Sequence, residues 1–356
     1  MAERVRRLAM GIGWIFLTLI LAQCSQSPRP QTWIAGWLEA VPMTTPRTGA
    51  KAVMVHDHVY VLGGGEGIPG PSTVHRSVEY ARIRPEGTIE AWKATSPMNT
   101  PRIFLAAAQA GDVIYALGGE YFPEGQMRLL NSVEWTRVGA DGRLGPWHEA
   151  SPMLTPRRSP TAAVVGGYLY AMGGYNGIFL RTVERARIRT GGELGPFEWV
   201  PESLSSARYI HGGAAVGNRI YIVGGHTMET GRGSSAAEWT TVHADGQINA
   251  WTPASPLLQP RFLAGATAAG DYIFVVSGYD GQYLSSVEQA RILPDGNLSP
   301  WAQTTPLPAP REGPAVAAHG NKIYVMGGSN QGVYLRTVDW AEIGPNGQLG
   351  YWRSEQ

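Results

Sequence analysis

Beyond residue 32 the chain is a succession of short apolar runs broken by Gly, Pro and Asp/Asn-Gly pairs, and the same order of runs returns six times. Each copy opens on an Arg, usually after Pro: Arg47, Arg102, Arg157, Arg208, Arg261 and Arg311, spaced 50 to 55 residues apart. An Ala/Gly-rich apolar stretch follows, such as Ala106-Ala107-Ala108. Next comes an aromatic residue and then a Gly pair: Tyr60 before Gly63-Gly64, Tyr115 before Gly118-Gly119, and so on through Phe274 and Tyr324. A variable loop leads to a Ser-Val-Glu-like segment at Glu79, Glu134, Glu184, Glu238, Glu288 and Asp339. A turn such as Asp141-Gly142 then leads to Trp92, Trp147, Phe197, Trp251, Trp301 or Trp352. β-branched and aromatic runs punctuated in this way predict four short antiparallel strands per copy. One such sheet cannot bury both faces, whereas several packed around an axis can, and a closed ring leaves few bare edges. The Ala/Gly stretch suits the crowded innermost strand; the Trp suits the rim, where a large ring covers the gap between sheets.

A Gly pair preceded by Tyr, with a Trp on the last strand, resembles the kelch repeat, and the resemblance covers nearly all the chain beyond residue 32. It implies an all-β, six-bladed kelch-type β-propeller with four antiparallel strands per blade. Ser277 for the first Gly of copy five and Phe197 for Trp in copy three depart from the pattern. Trp37 makes a seventh Trp-type segment for six blades, so either residues 34–41 or residues 348–353 supply the last outer strand. The chain ends four residues after Trp352, which favours the N-terminal segment.

Residues 1–24 follow a different rule. Arg4, Arg6 and Arg7 precede an uncharged apolar run over residues 8–22, the pattern of a secretory signal. Cys24, the one Cys of the chain, closes it after Leu21-Ala22-Gln23 and resembles the lipidation Cys of a bacterial lipoprotein, although Gln23 stands where a small residue is usual. The alternative is an uncleaved anchor. Residues 25–32 read as a polar tether and 33–356 as a single propeller, held outside the cytoplasm at a membrane in the periplasm or at the cell surface.

Charge removes one class of partner. With 29 Lys+Arg against 28 Asp+Glu, the net charge is +1, too little for a nucleic-acid surface. A single Cys excludes an internal disulfide. It also excludes the Cys–Tyr crosslink of the copper radical oxidases that share the kelch propeller, and no cofactor is expected. His56-Asp57-His58 falls in the turn between first and second strands and reads as a solvated turn, not a metal site. No Gly-x-Ser-x-Gly or phosphate-cradling Gly-Lys-Ser/Thr motif occurs.

Candidate chemistry collects at one mouth of the ring. The loops joining second to third strands vary in length and open where the first strands begin. They carry Tyr121, Tyr175, Phe179, His226, Tyr279, Tyr283 and Tyr334. Rings there either pack loop on loop or offer a stacking surface to sugars or apolar side chains. Arg158, Tyr209, His211 and Glu312 start first strands at the same mouth and differ between copies, which the fold does not require. The six repeated Arg either form an anion-binding ring or pair with the six acids of equal phase; the matched numbers favour pairing. The expected function is a binding module using this face for a glycan, peptide or protein ligand. One alternative is a sugar enzyme resembling the periplasmic kelch-type sialic acid mutarotases, and another is a structural envelope protein.

Overall fold

A computed structural model describes residues 31–67, 73–228 and 233–354. The signal segment, Cys24 and most of the tether lie outside the described residues. Blade one runs from axis to rim as Lys51–Val55, His58–Leu62, Val78–Arg82 and Lys93–Thr95. The innermost strands of the next five blades are Ala106–Ala110, Thr161–Val165, Gly212–Val216, Gly265–Ala269 and Ala315–His319. Each contacts the next, and the last contacts Lys51–Val55, so six blades close a ring around a central channel. Among the described residues two single-turn 3-10 helices interrupt the β structure, at Pro123–Gly125 and Pro345–Gly347. The six-bladed, all-β reading of the repeat is what the chain adopts. Among the described residues no helix is long and apolar enough to cross a membrane.

Small residues permit the closure. A Cβ on Gly212 would lie 2.6 Å from Ala266 Cβ, and one on Gly213 would lie 2.5 Å from Thr161 Cγ2, so neighbouring inner strands leave no room for bulk. Farther out, apolar side chains from adjacent blades fill six separate seams. The rim aromatics Trp92, Trp147, Phe197, Trp251 and Trp301 each close one seam and are buried. Indole nitrogens of Trp92, Trp147 and Trp301 donate to Val41, Ser96 and Ser255 carbonyls, just past the neighbouring blade's outer strand.

The repeated Tyr ties blade to blade. Tyr60, Tyr115, Tyr170, Tyr221 and Tyr324 donate their hydroxyls to turn carbonyls of the following blade, at Gly142, Gly192, Gly246, Gly296 and Gly87, over 2.6–2.9 Å. Phe274 has no hydroxyl; at that seam Gln289 Nε2 donates to Asn346 O instead, at 2.9 Å. The Gly pair is explained by Gly118, whose φ is 63° and whose Cβ would meet Arg157 O at 2.5 Å. Ser277 takes the same left-handed turn at φ 56°, fully buried and with its hydroxyl unpartnered.

Both termini build the last blade. Leu38–Ala40 pairs with Val338–Ile343, setting Glu39 opposite Asp339 as Ala94 stands opposite Glu79 in blade one. Trp37 Nε1 donates to Thr305 O at 3.1 Å, the contact its counterparts make. The N-terminal segment is thus the outer strand, as the short stretch beyond Trp352 favours. Leu349–Ser354 pairs with the far end of Val338–Ile343 and then with Gln31–Ala35. Gln31 and Thr32, read as tether, stand opposite Ser354 and Arg353 in that ladder.

Candidate functional site

The six repeated Arg do not face the channel. Each is at most 2% exposed and pairs with the acid of its own copy: Arg47–Glu79, Arg102–Glu134, Arg157–Glu184, Arg208–Glu238, Arg261–Glu288 and Arg311–Asp339, at 2.5–3.1 Å. Arg102 shows the full set, also donating to the Gly118 and Ser132 carbonyls. Glu134 in turn accepts the Asn99 and Thr100 amides, so one ion pair pins the crossing between blades to the third strand. The anion-ring reading is therefore overturned: every guanidinium is spent on a buried carboxylate and backbone carbonyls.

Two residues beyond each Arg the backbone turns left-handed, at Gly49, Phe104, Ser159, Ile210, Leu263 and Gly313, with φ of 49–62°. Non-Gly residues resist this conformation, at a cost of about 1–3 kcal/mol each. The turn sends each amide to its neighbour around the axis. Gly49 donates to Gly313, Phe104 to Gly49, Ser159 to Phe104, Leu263 to Ile210 and Gly313 to Leu263, at 2.7–3.1 Å. The sixth link, Ile210 to Ser159, is not made. This belt narrows the channel to a neck with about 30 Å³ of free space, with about 110 Å³ below it.

Outside the belt stands a tier made by the residue after each Arg, bridged to the residue after each Gly pair: Thr48 to Gly65, Ile103 to Glu120, Arg158 to Tyr175, Tyr209 to His226, Phe262 to Tyr279 and Glu312 to Ser329. Most of the sequence candidates meet here. Ring contacts run without a break from Tyr175 through Phe179, Tyr209, His226, Phe262 and Tyr279 to Tyr283, with centroids 4.9–5.8 Å apart. All are partly exposed, so the arc spans blades three to five as an open stacking surface. Tyr334 continues the crown toward blade one, its hydroxyl donating to Gly67 O at 2.8 Å. Burial, with Glu312 nearby, raises the Tyr283 hydroxyl from its ordinary value.

Polar groups flank the arc. Arg158 pairs with Glu120 at 3.0 Å and lies 4.7 Å over the Phe104 ring. Burial raises the Glu120 carboxyl, and Arg158 opposes that shift. Burial likewise raises Glu312, with the Ser329 hydroxyl working against it. Tyr121 sits in the short Glu120–Tyr121 strand paired with Arg128–Leu129 and joins no ring contact among the described residues. His211 is buried, its ring against Gly173 in the seam between blades three and four. Burial, Arg208 and Lys51 together hold its pKa well below 6.5, while the Met172 carbonyl works the other way. On the opposite face His58 and Arg82 both contact Asp57, at 2.7 Å. No group of three or more His, Cys, Asp or Glu that could hold a metal occurs among the described residues.

Phe262, Glu120 and Lys51 were not among the sequence candidates. Phe262 holds the phase of Arg158, Tyr209 and Glu312, so the repeat alignment carried its signal. Glu120 follows a Gly pair as Tyr175 does. Lys51 is the one Lys at the head of an inner strand.

The family model for the Kelch motif matches residues 156–185 and 310–340. Kelch-like protein 26 of Danio rerio is 25% identical over 239 residues, 66% of this chain and 36% of its own length. Kelch-like protein 38 of Homo sapiens is 25% identical over 243 residues, 68% of this chain and 37% of its own. The aligned part thus spans little more than a third of these relatives. The solved structure of YjhT superposes with a TM-score of 0.70 at 13% identity, covering 88% of this chain and 99% of that one, a likeness of fold alone. With six copies of one repeat in six closed blades, and the Kelch motif matched in two of them, this chain is a six-bladed β-propeller that carries the Kelch motif.

Proposed function

We propose that the propeller is a non-enzymatic binding module, exported and membrane-tethered, whose crown face docks a protein or peptide partner. The observation that carries this reading is where exposed apolar side chains lie. Met127, Ile178, Met228 and Val333 stand 51–79% exposed on the loops of four blades, and Leu154 and Leu258 stand 48% and 57% exposed on crossings at the same face. The turns of the opposite face carry no large apolar side chain so exposed among the described residues. Apolar groups gathered around a partly exposed aromatic arc mark an interaction surface. Aliphatic tips favour a partner with apolar side chains over a glycan.

The second reading, a sugar enzyme resembling the kelch-type mutarotases, draws on the raised carboxyls of Glu120 and Glu312 at the mouth. Neither carboxyl lines the enclosed neck, which at about 30 Å³ is itself too small for a ligand of that class.

The test is peptide display on the immobilised full-length chain, followed by affinity measurement with Ile178→Glu/Met228→Glu and, separately, Tyr283→Ala/Tyr334→Ala. Selected peptides should bind each double variant at least about tenfold more weakly, with melting temperatures nearly unchanged, because exposed tips contribute little to stability. Binding that survives both changes would overturn the face assignment. Selective binding and anomer exchange of a monosaccharide would favour the enzyme. For the tether, Cys24→Ser should release the chain from the membrane fraction; retention would favour the uncleaved anchor.

A further inference from the structure

Lys51 opens the inner strand of blade one, where the other five blades have Ala106, Thr161, Gly212, Gly265 and Ala315. Its side chain lines both the neck and the channel below it. Among the described residues it makes no ion pair or hydrogen bond. Burial alone lowers its pKa, with no carboxylate near enough to oppose the shift. Two more unpartnered polar side chains line the same neck. Ser159 is 7% exposed with its Oγ unbonded, and His211 is 4% exposed with neither ring nitrogen in a well-formed hydrogen bond. Both stand where the belt fails to close, between Ser159 and Ile210. Buried polar atoms without partners are rare in folded proteins, because each forfeits its hydration. Here a cation, a hydroxyl and an imidazole converge on one space of about 30 Å³.

We propose that this neck seats a single small monovalent anion, of carboxylate or halide size, between Lys51 and the Ser159–His211 side of the channel. Lys51 supplies the charge. The Ser159 hydroxyl donates a hydrogen bond, the neutral His211 ring offers its one N–H, and the otherwise apolar wall, which includes Phe104, Leu105, Ile210 and Leu263, leaves no room for larger ions. The space holds one or two water-sized groups, so phosphate, sulfate and a whole sugar are too large. The crown lies above the neck, so the same seat accepts either a free anion or a carboxylate carried by a ligand docked at the mouth.

The full-length chain is titrated with sodium formate and, separately, sodium bromide, at ionic strength held constant with sodium HEPES, whose anion is too bulky for the neck. Melting temperature is the readout, since a ligand selective for the folded state raises it saturably. The wild type should show a saturable rise. In Lys51→Met the apparent affinity should fall at least about tenfold, and in Ser159→Ala several-fold, while the surface variant Arg82→Met should match the wild type. Response to both salts identifies a free-anion seat; response to formate alone identifies a seat for a ligand's carboxylate. No saturable response to either salt, or equal responses in Lys51→Met, Ser159→Ala and wild type, overturns the proposal. Should Lys51→Met fail to fold, Ser159→Ala and a bromide-soaked wild-type crystal decide. Anomalous density beside Lys51 Nζ supports the seat, and its absence overturns it.

Discussion

His211 separates what a residue type suggests from what its surroundings make of it. At the start of an inner strand it reads as a ligand contact, yet its ring is packed in a seam, where burial, Arg208 and Lys51 disfavour the protonated form. The unfolded chain takes up a proton as pH falls through about 6.5, and the folded chain does not until much lower. His211 therefore contributes acid destabilisation, of up to about 1.4 kcal/mol per pH unit, that begins below pH 6.5 and is absent above it. Urea unfolding of the wild type and of His211→Asn at pH 7.5 and 5.5 should show a smaller loss on acidification in the variant; equal losses would rule the effect out. The buried Arg–Glu pairs behave differently, because their partners are already in place. Arg102→Met strands the Glu134 carboxylate and should cost about 3–5 kcal/mol by the same measurement. This pairing was legible beforehand, since six Arg matched six acids in phase. The depth at which His211 lies, against Gly173 of the neighbouring blade, was not, because strand phase tells which face a side chain takes but not whether a neighbouring blade covers it.

At the scale of strands and seams, burial separates residues that look equivalent in sequence. Trp301 is 4% exposed and closes the seam between blades four and five; Trp37 holds the same phase in blade six but is only partly buried. Trp301→Ala should cost about 3–5 kcal/mol, and Trp37→Ala distinctly less. Paired chemical-denaturation curves check this, and equal losses would mean that the terminal strand packs as firmly as the internal ones. The aromatic arc is also a property of elements. Tyr175, Phe179, Tyr279 and Tyr283 could be placed on loops from the repeat alone. That Tyr209 and Phe262 bridge them depends on the first-strand starts of one blade lying against the loops of the blade before, as the Phe179–Tyr209 and His226–Phe262 contacts show.

For the whole molecule the governing fact is closure. The two ends of the chain meet in one blade, so deleting residues 1–40 removes the outer strand, the Trp37 hydrogen bond and the partner of Leu349–Ser354 at once. The truncated chain should melt on the order of 10 °C lower, since about 1 kcal/mol moves the melting temperature of a large domain by roughly 2–4 °C. An unchanged melting curve would show that the ring needs no closing strand. The sequence by itself determined the number of blades, the strand order within each, the pairing of Arg with acid and the face on which variable loops gather. All of these follow from local periodicity and from a pattern repeated in phase. Tertiary structure alone decided which crown rings touch, that His211 is buried against blade three, and that Lys51, Ser159 and His211 line one neck. Those outcomes depend on how six blades are rotated about a common axis. Residues from opposite sides of the ring, such as Lys51 of blade one and His211 of blade four, become neighbours only when the circle closes.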